Sequence, residues 1–139
     1  MSAVKAFRKA FELIKKKNWD KMYVSVDIHE TILKPTWSKE LSNKFYDYSR
    51  EVLRHLSNRE DVCLILWTCS SPESIEEYLE LFSFHKINFT YVNCNPEVKS
   101  TYYADFNSKF YSNVLLDDKS GFDPEEWLDL FIFFNLNTH

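Results

Sequence analysis

Short apolar runs that alternate with amphipathic segments constrain the fold of this 139-residue chain more than any other feature. Val, Ile and Leu recur in these runs, a composition typical of buried parallel strands. The predicted strands are residues 22–26, Val62–Trp67, 88–92 and Val114–Leu116. The predicted helices cover residues 4–17, 38–56, about 71–84 and about 123–134. This alternation predicts a parallel sheet between helices, joined by right-handed crossovers.

The predicted helices begin at residues that commonly stand at helix starts. Ser38 is expected to cap the second helix, and Pro72 and Pro124 occupy first-turn positions in the third and fourth. In the first helix, apolar residues recur with helical spacing. We therefore expect one domain over residues 1–139, in which the helix within residues 1–20 packs on the core.

Composition and charge disfavour several classes of protein. The formal net charge of -4 argues against a nucleic-acid partner, because phosphate backbones bind clustered Lys and Arg. The cysteines Cys63, Cys69 and Cys94 are odd in number and lack the spacing of a zinc site or disulfide framework. No signal peptide is visible, and the apolar runs fall far short of the ~20 residues of a membrane-spanning helix. We therefore expect a cytoplasmic protein with no membrane partner.

Polar residues directly follow three of the predicted strands. Asp27 follows the first, Thr68 the second, and Asp117 with Asp118 the fourth. Because the carboxyl ends of parallel strands meet at one edge of a sheet, these side chains should converge. Three converging carboxylates repel one another unless a cation relieves them, and oxygen ligands favour Mg²⁺. Such an ion, with Lys109 and the Thr68 hydroxyl, could hold a phosphate.

The same residues resemble the ordered motifs of the haloacid-dehalogenase-like (HAD) superfamily. Residues 24–31, VSVDIHET, look like its first motif, an apolar strand followed by Asp-x-Asp-x-Thr. Residues 64–68, LILWT, resemble the second, Lys109 the third, and residues 114–118, VLLDD, the fourth. The four motifs occur in the family's order. The resemblance implies a three-layer α/β/α sandwich with a parallel, Rossmann-like sheet, and a Mg²⁺-dependent phosphatase.

The resemblance also assigns the nucleophile and the metal ligands. Asp27 would attack phosphorus and form an aspartyl-phosphate, which water then hydrolyses. Asp27, Asp117 and the backbone carbonyl of His29 would bind Mg²⁺, and Asp118 would act directly or through water. Thr31 would support the turn after the first strand.

The phosphate would be oriented by Thr68 and Lys109 under the same resemblance. Each has a competitor nearby in the chain. Ser70 offers a second hydroxyl close to Thr68, although Thr68 stands at the strand end. For the lysine, Lys99 and Lys119 are the alternatives to Lys109.

Position 29 departs from the family pattern, because phosphatases of the family generally have a second aspartate where this chain has His29. An imidazole can both donate and accept a proton near neutral pH, so His29 could serve as the general acid and base. The alternative is a catalytically weak or inactive module on the same scaffold that binds a phosphorylated ligand. A metal-free haloacid-type dehalogenase explains the pair Asp117 and Asp118 less well.

The intervals between the motifs leave no room for a cap domain, which often selects the substrate in this family. The site should then be open to a phosphorylated small molecule or a macromolecular phosphoester, and a homo-oligomer partner could enclose it. Nucleic acid is not favoured, given the acidic charge. Residues Asn93, Asn95, Tyr102 and Tyr103 could form one wall, although surface-loop and core roles compete with this interpretation.

Overall fold

The computed structural model of the chain describes residues 2–36, 38, 40–99 and 110–137. Its helices are α1 (Ala3–Lys17), α2 (Ser49–Ser57), α3 (Pro72–Phe84) and α4 (Glu126–Phe133). Its strands are β1 (Met22–Asp27), β2 (Val62–Trp67), β3 (Tyr91–Val92) and β4 (Val114–Leu116). A short 3₁₀ turn, Asp118–Ser120, follows β4. No helix in the described part of the chain has the length and apolar character needed to cross a bilayer.

The described strands form one parallel sheet in the order β3-β2-β1-β4. Val26 of β1 lies beside Leu66 of β2 and Leu116 of β4, so these strands end at the same level. The predicted α/β architecture with a parallel sheet is therefore confirmed, and no cap domain is present among the described residues.

One face of the sheet forms the hydrophobic core with the helices. Val24 and Val26 of β1 and Leu64 and Leu66 of β2 are at most 1 % exposed. The helices contribute apolar side chains to the same cluster, among them Phe7, Val52, Leu56, Phe82, Trp127 and Leu130. Burying a side chain of this size stabilises the fold by roughly 1.5–3 kcal/mol relative to exposing it. The amphipathic character predicted for the first helix is confirmed by this packing.

The opposite face of the sheet carries Tyr23, Ser25 and Asp27, which alternate with the core residues of β1. Because β3 and β4 lie at opposite edges, the 93–113 connection between them must cross the sheet. Residues 100–109 of this connection lie outside the described residues.

The prediction of the second helix, over residues 38–56, is wrong for its first half. The helix was expected from residue 38, with Ser38 as its cap, but α2 begins at Ser49. Residues 44–46 instead pair with the segment after β1, through hydrogen bonds from Lys34 N to Lys44 O (2.8 Å) and from Tyr46 N to Ile32 O (2.9 Å). Tyr48 then adopts a left-handed conformation with φ 70°, which an α-helix cannot continue through. The backbone donors and acceptors of this segment are therefore used in a turn rather than a helix.

Two further elements are shorter than predicted. The third strand was expected from Asn88, but the Asn88 N–H donates to Ser57 Oγ at the end of α2 (2.8 Å) and not to β2. The strand is consequently reduced to Tyr91–Val92. The last helix begins at Glu126 because Asp123 forms a turn before it, with Asp123 N donating to Glu126 Oε2 at 2.9 Å.

Candidate functional site

Three carboxylates converge at the carboxyl edge of the sheet. Asp27 ends β1, and Asp117 and Asp118 follow β4, the neighbouring strand. One oxygen of each residue lies within 4.8 Å of the oxygens of the other two. This is the convergence that the strand ends predicted, and the set could hold a metal ion.

The electrostatics of Asp27 reflect this crowding. The pKa of Asp27 is raised from 3.8 to about 7, chiefly by burial and then by the charge of Asp117, with smaller contributions from Asp118. A hydrogen bond from the backbone of Ile28 opposes the increase but does not cancel it. The carboxylate is thus held where its negative charge is poorly compensated by the protein alone.

Asp117 is fixed by the 3₁₀ turn that follows β4. Its side chain is oriented by the Lys119 N–H, which donates to Asp117 Oδ1 at 3.0 Å. Its carbonyl accepts from the Ser120 N–H at 3.0 Å and from the Ser120 hydroxyl at 2.9 Å. Asp117 is 9 % exposed, so this turn positions a largely buried carboxylate beside Asp27.

Thr31 joins the loop after β1 to the loop after β4. Its hydroxyl accepts from the Asp118 N–H at 3.2 Å, and the carboxylate Oδ1 of Asp118 lies 3.5 Å from the same hydroxyl. Its carbonyl accepts from Trp127 Nε1 in α4 at 2.7 Å. Thr31 is fully buried. The residue therefore fixes the position of Asp118 as well as the turn it was predicted to support.

His29 lies at the exposed rim of the loop after β1. Its Nε2 is 3.2 Å from Ser70 Oγ, and its ring meets the buried Tyr78 ring edge-on at 5.5 Å. The next residue, Glu30, is exposed and has φ 57°, a left-handed conformation that permits the tight turn. The imidazole is therefore held by contacts from the segment after β2 and from α3.

Thr68 and its predicted competitor Ser70 lie together. Their hydroxyl oxygens are 2.9 Å apart, and the Ser70 N–H donates to Thr68 Oγ1 at 3.2 Å. Together with the His29 contact, these bonds form a chain from imidazole to Ser70 to Thr68. Both hydroxyls are thus available on the same side of the site, and the sequence had treated them as alternatives.

Asn93 has a positioning role that the sequence did not reveal. Its side chain accepts from the Thr68 N–H at 2.8 Å and donates to the Thr68 carbonyl at 2.6 Å. The backbone of Asn93 has φ 55°, which asparagine tolerates better than most residues. The sequence signal that could have indicated this role is an asparagine directly after a strand. Asn95 is buried and donates to the Tyr111 carbonyl at 2.9 Å, which is a structural contact.

The predicted phosphate-binding lysine, Lys109, lies outside the described residues, as do Tyr102 and Tyr103. Its role therefore stays a prediction. The two competitors, Lys99 and Lys119, are exposed. Lys119 follows the carboxylate pair directly and contributes its backbone N–H to Asp117.

An open cavity of about 780 Å³ lies on the Asp118 side of the site. Its charged lining consists of Lys34, Asp47, Asp123, Glu125 and Asp129. Tyr46 also lines it, and burial raises the pKa of Tyr46, with smaller contributions from the charges of Glu30, Asp118 and Asp123. The cavity is thus predominantly acidic, and Asp27, Asp117 and Asp118 are not among the residues that line it.

Fold and site together define a single-domain α/β protein in which three carboxylates converge at the carboxyl edge of a parallel sheet. A solved structure of a conserved protein from Bacteroides thetaiotaomicron is similar to it, with a TM-score of 0.63 and 21 % identity. The similarity covers 84 % of this chain and 92 % of that protein, which supports the fold. No family model and no curated protein matches the chain.

Proposed function

We propose that this protein is a Mg²⁺-dependent phosphoester hydrolase that acts through a phosphorylated Asp27. The observation that carries the proposal is the convergence of Asp27, Asp117 and Asp118 within 4.8 Å. The resemblance of the four ordered motifs to the HAD superfamily supports the same assignment. So does the open edge of the sheet, because phosphoryl-transfer sites of α/β proteins commonly lie beyond the carboxyl ends of the strands.

The donor set fits a hard divalent cation. Asp27, Asp117 and Asp118 offer oxygen ligands only, and the raised pKa of Asp27 indicates negative charge that a cation would offset. Mg²⁺ would be held by these carboxylates, with the backbone carbonyl of His29 as a further ligand. When bound, the ion would supply charge stabilisation for the transferred phosphoryl group.

Each residue of the site has a defined task in the proposed reaction. An Asp27 oxygen attacks phosphorus, the bond from phosphorus to the ester oxygen breaks, and His29 donates a proton to the departing oxygen. Water then attacks the phosphorus of the aspartyl-phosphate and gives its proton to His29. The Asp27–phosphorus bond breaks and inorganic phosphate leaves. Thr68 and Lys109 orient the phosphoryl oxygens throughout.

The contacts of His29 support its assignment as the acid and base. Ser70 and Tyr78 hold the imidazole from one side, so it does not have to be ordered from free rotation when substrate binds. The substitution of the family's usual second aspartate nevertheless supports a second candidate function. A protein that binds a phosphorylated ligand without turnover would share the fold and the metal site.

The test is Mg²⁺-dependent hydrolysis of p-nitrophenyl phosphate from pH 5 to 9, with and without EDTA. Asp27→Asn should abolish turnover, because an amide is not a nucleophile for phosphorus. His29→Ala should lower kcat by roughly 10²–10⁴-fold with alkyl phosphates, and by less with p-nitrophenyl phosphate, whose leaving group needs little protonation. His29→Asp, which restores the family pattern, should retain turnover with an altered pH profile.

Asp20→Asn is the matched control, because Asp20 is an exposed carboxylate that precedes β1, at the end of the strand opposite to the site. It should behave as wild type. Absence of turnover in wild type and in His29→Asp at every pH would reject the hydrolase. Mg²⁺-dependent binding of inorganic phosphate in that case would indicate the binding module.

A further inference from the structure

Trp67, the last residue of β2, is 42 % exposed at the carboxyl edge of the sheet. Tryptophan is highly buried on average, because its side chain carries a large apolar surface. The other residues of β2, Val62, Cys63, Leu64, Ile65 and Leu66, are buried. Trp67 is therefore exposed although every other residue of its strand is buried.

The indole lies directly beside the proposed nucleophile. In the parallel register, Trp67 is the partner of Asp27, so the two side chains leave neighbouring strands on the same face. The spacing between such strands is about 4.8 Å. A phosphoryl group bound at Asp27 would therefore have the indole as its immediate neighbour.

The orientation of the indole is fixed by a second aromatic ring. Phe110 meets Trp67 at a ring-centroid distance of 5.4 Å and an interplanar angle of 64°. Edge-to-face contacts of this kind stabilise a pair by about 0.5–1.5 kcal/mol beyond area burial. Trp67 thus presents surface to solvent in a defined orientation, and a flat ligand group could stack on it without first ordering the side chain.

Charge distinguishes this side of the site from the side with the cavity. The cavity beyond Asp118 is lined by four carboxylates and Lys34, which disfavours the approach of an anionic phosphoester. Trp67, Cys69, Ser70 and Phe110 are uncharged. An anionic substrate with an apolar body is therefore better accommodated over Trp67 than over the cavity.

We infer that Trp67 is a stacking platform for an aromatic base in the substrate, and that the substrate class is nucleoside monophosphates. The inference rests on the proposed function, since it assumes that phosphate binds at Asp27. In this arrangement the phosphate occupies the carboxylate cluster and the base lies on the exposed indole. The same chemistry is offered by a free nucleotide and by the phosphorylated end of a nucleic-acid strand.

The experiment compares adenosine 5′-monophosphate with ribose 5-phosphate, which lacks only the base. Wild-type kcat/KM should favour the nucleotide by about tenfold, the factor that one stacked base supplies. Trp67→Leu should reduce this ratio to near one, and Trp67→Phe, which keeps an aromatic face, should retain most of it. Trp19→Leu is the matched control, because Trp19 is 46 % exposed and precedes β1 at the opposite end of the strands.

A wild-type ratio near one, or an unchanged ratio in Trp67→Leu, would overturn the platform even if both compounds are hydrolysed. If neither compound is hydrolysed, calorimetric titration of both into wild type with Mg²⁺ separates the two proposals. Preferential binding of the nucleotide that is lost in Trp67→Leu would support the platform while the hydrolase fails. The same measurements are finally made with a single-stranded oligonucleotide that carries a 5′-phosphate. A Trp67-dependent preference for it would support stacking and identify a strand end as the source of the base.

Discussion

Replacing Asp27 by Asn should make the metal-free protein more stable at pH 8 than wild type. The pKa of Asp27 rises from 3.8 to about 7 on folding, chiefly through burial and then through Asp117 and Asp118. An acid whose folded pKa is raised binds its proton more tightly in the folded state. Ionised Asp27 therefore destabilises the folded protein. This destabilisation grows as pH rises from about 4 to about 7 and stays at its full value at higher pH.

The expected magnitude follows from the size of the shift. About three pKa units correspond to roughly 4 kcal/mol at most, and partial solvation of Asp27 reduces this to about 2 kcal/mol. Asp27→Asn removes the ionisable group and hence this penalty. The gain in the free energy of unfolding should be about 2 kcal/mol at pH 8 and should shrink toward pH 4.

Urea unfolding in EDTA at pH 4, 6 and 8, followed by circular dichroism, measures this difference. Asp20→Asn, at an exposed position, should show no comparable pH-dependent gain. Equal stability of wild type and Asp27→Asn at pH 8, or a difference that does not change with pH, would refute the reasoning. If the folded carboxylate cluster binds Mg²⁺ as proposed, adding Mg²⁺ at pH 8 should stabilise wild type more than Asp27→Asn.

Two further substitutions test the loop after β1. Thr31→Val leaves the Asp118 N–H without its partner at a fully buried position, and should lower the free energy of unfolding by about 1–3 kcal/mol in urea. An unchanged urea midpoint would contradict the role given to Thr31. Glu30→Gly should raise the free energy of unfolding by about 1 kcal/mol, because Glu30 has φ 57°. The same change at the exposed Glu76 within α3 should lower it by about 1 kcal/mol, and a loss at both positions would argue against strain at Glu30.

Strand positions and the carboxylate cluster could be predicted because they depend on local pattern. Val62–Trp67 is a continuous apolar run between polar segments, and β2 has the predicted bounds. Asp27, Asp117 and Asp118 follow apolar runs, and parallel pairing brings strand ends together whatever the details of the connections. The apolar run thus predicts where each strand lies, and parallel pairing of the strands predicts where the carboxylates converge.

The segment before α2 could not be predicted because its apolar spacing satisfies two different structures. Leu41 and Phe45 are spaced as on a helix, and both pack against the core, yet they do so from a turn. The deciding interactions are backbone hydrogen bonds to Ile32 and Lys34, which a side-chain pattern does not encode. The same reason applies to Asn93, whose hydrogen bonds to Thr68 join residues 25 positions apart.

The hydrogen bond from Trp127 to the Thr31 carbonyl affects the order in which the site can mature during synthesis. Its partners are 96 residues apart, so the loop that follows Asp27 emerges from the ribosome long before its donor is made. Asp117 and Asp118 are also translated late, only shortly before α4. A nascent chain therefore carries Asp27 without the other two carboxylates until residues 117 and 118 have been translated. The three carboxylates that could hold a metal ion come together only after the chain has been synthesised as far as Asp118.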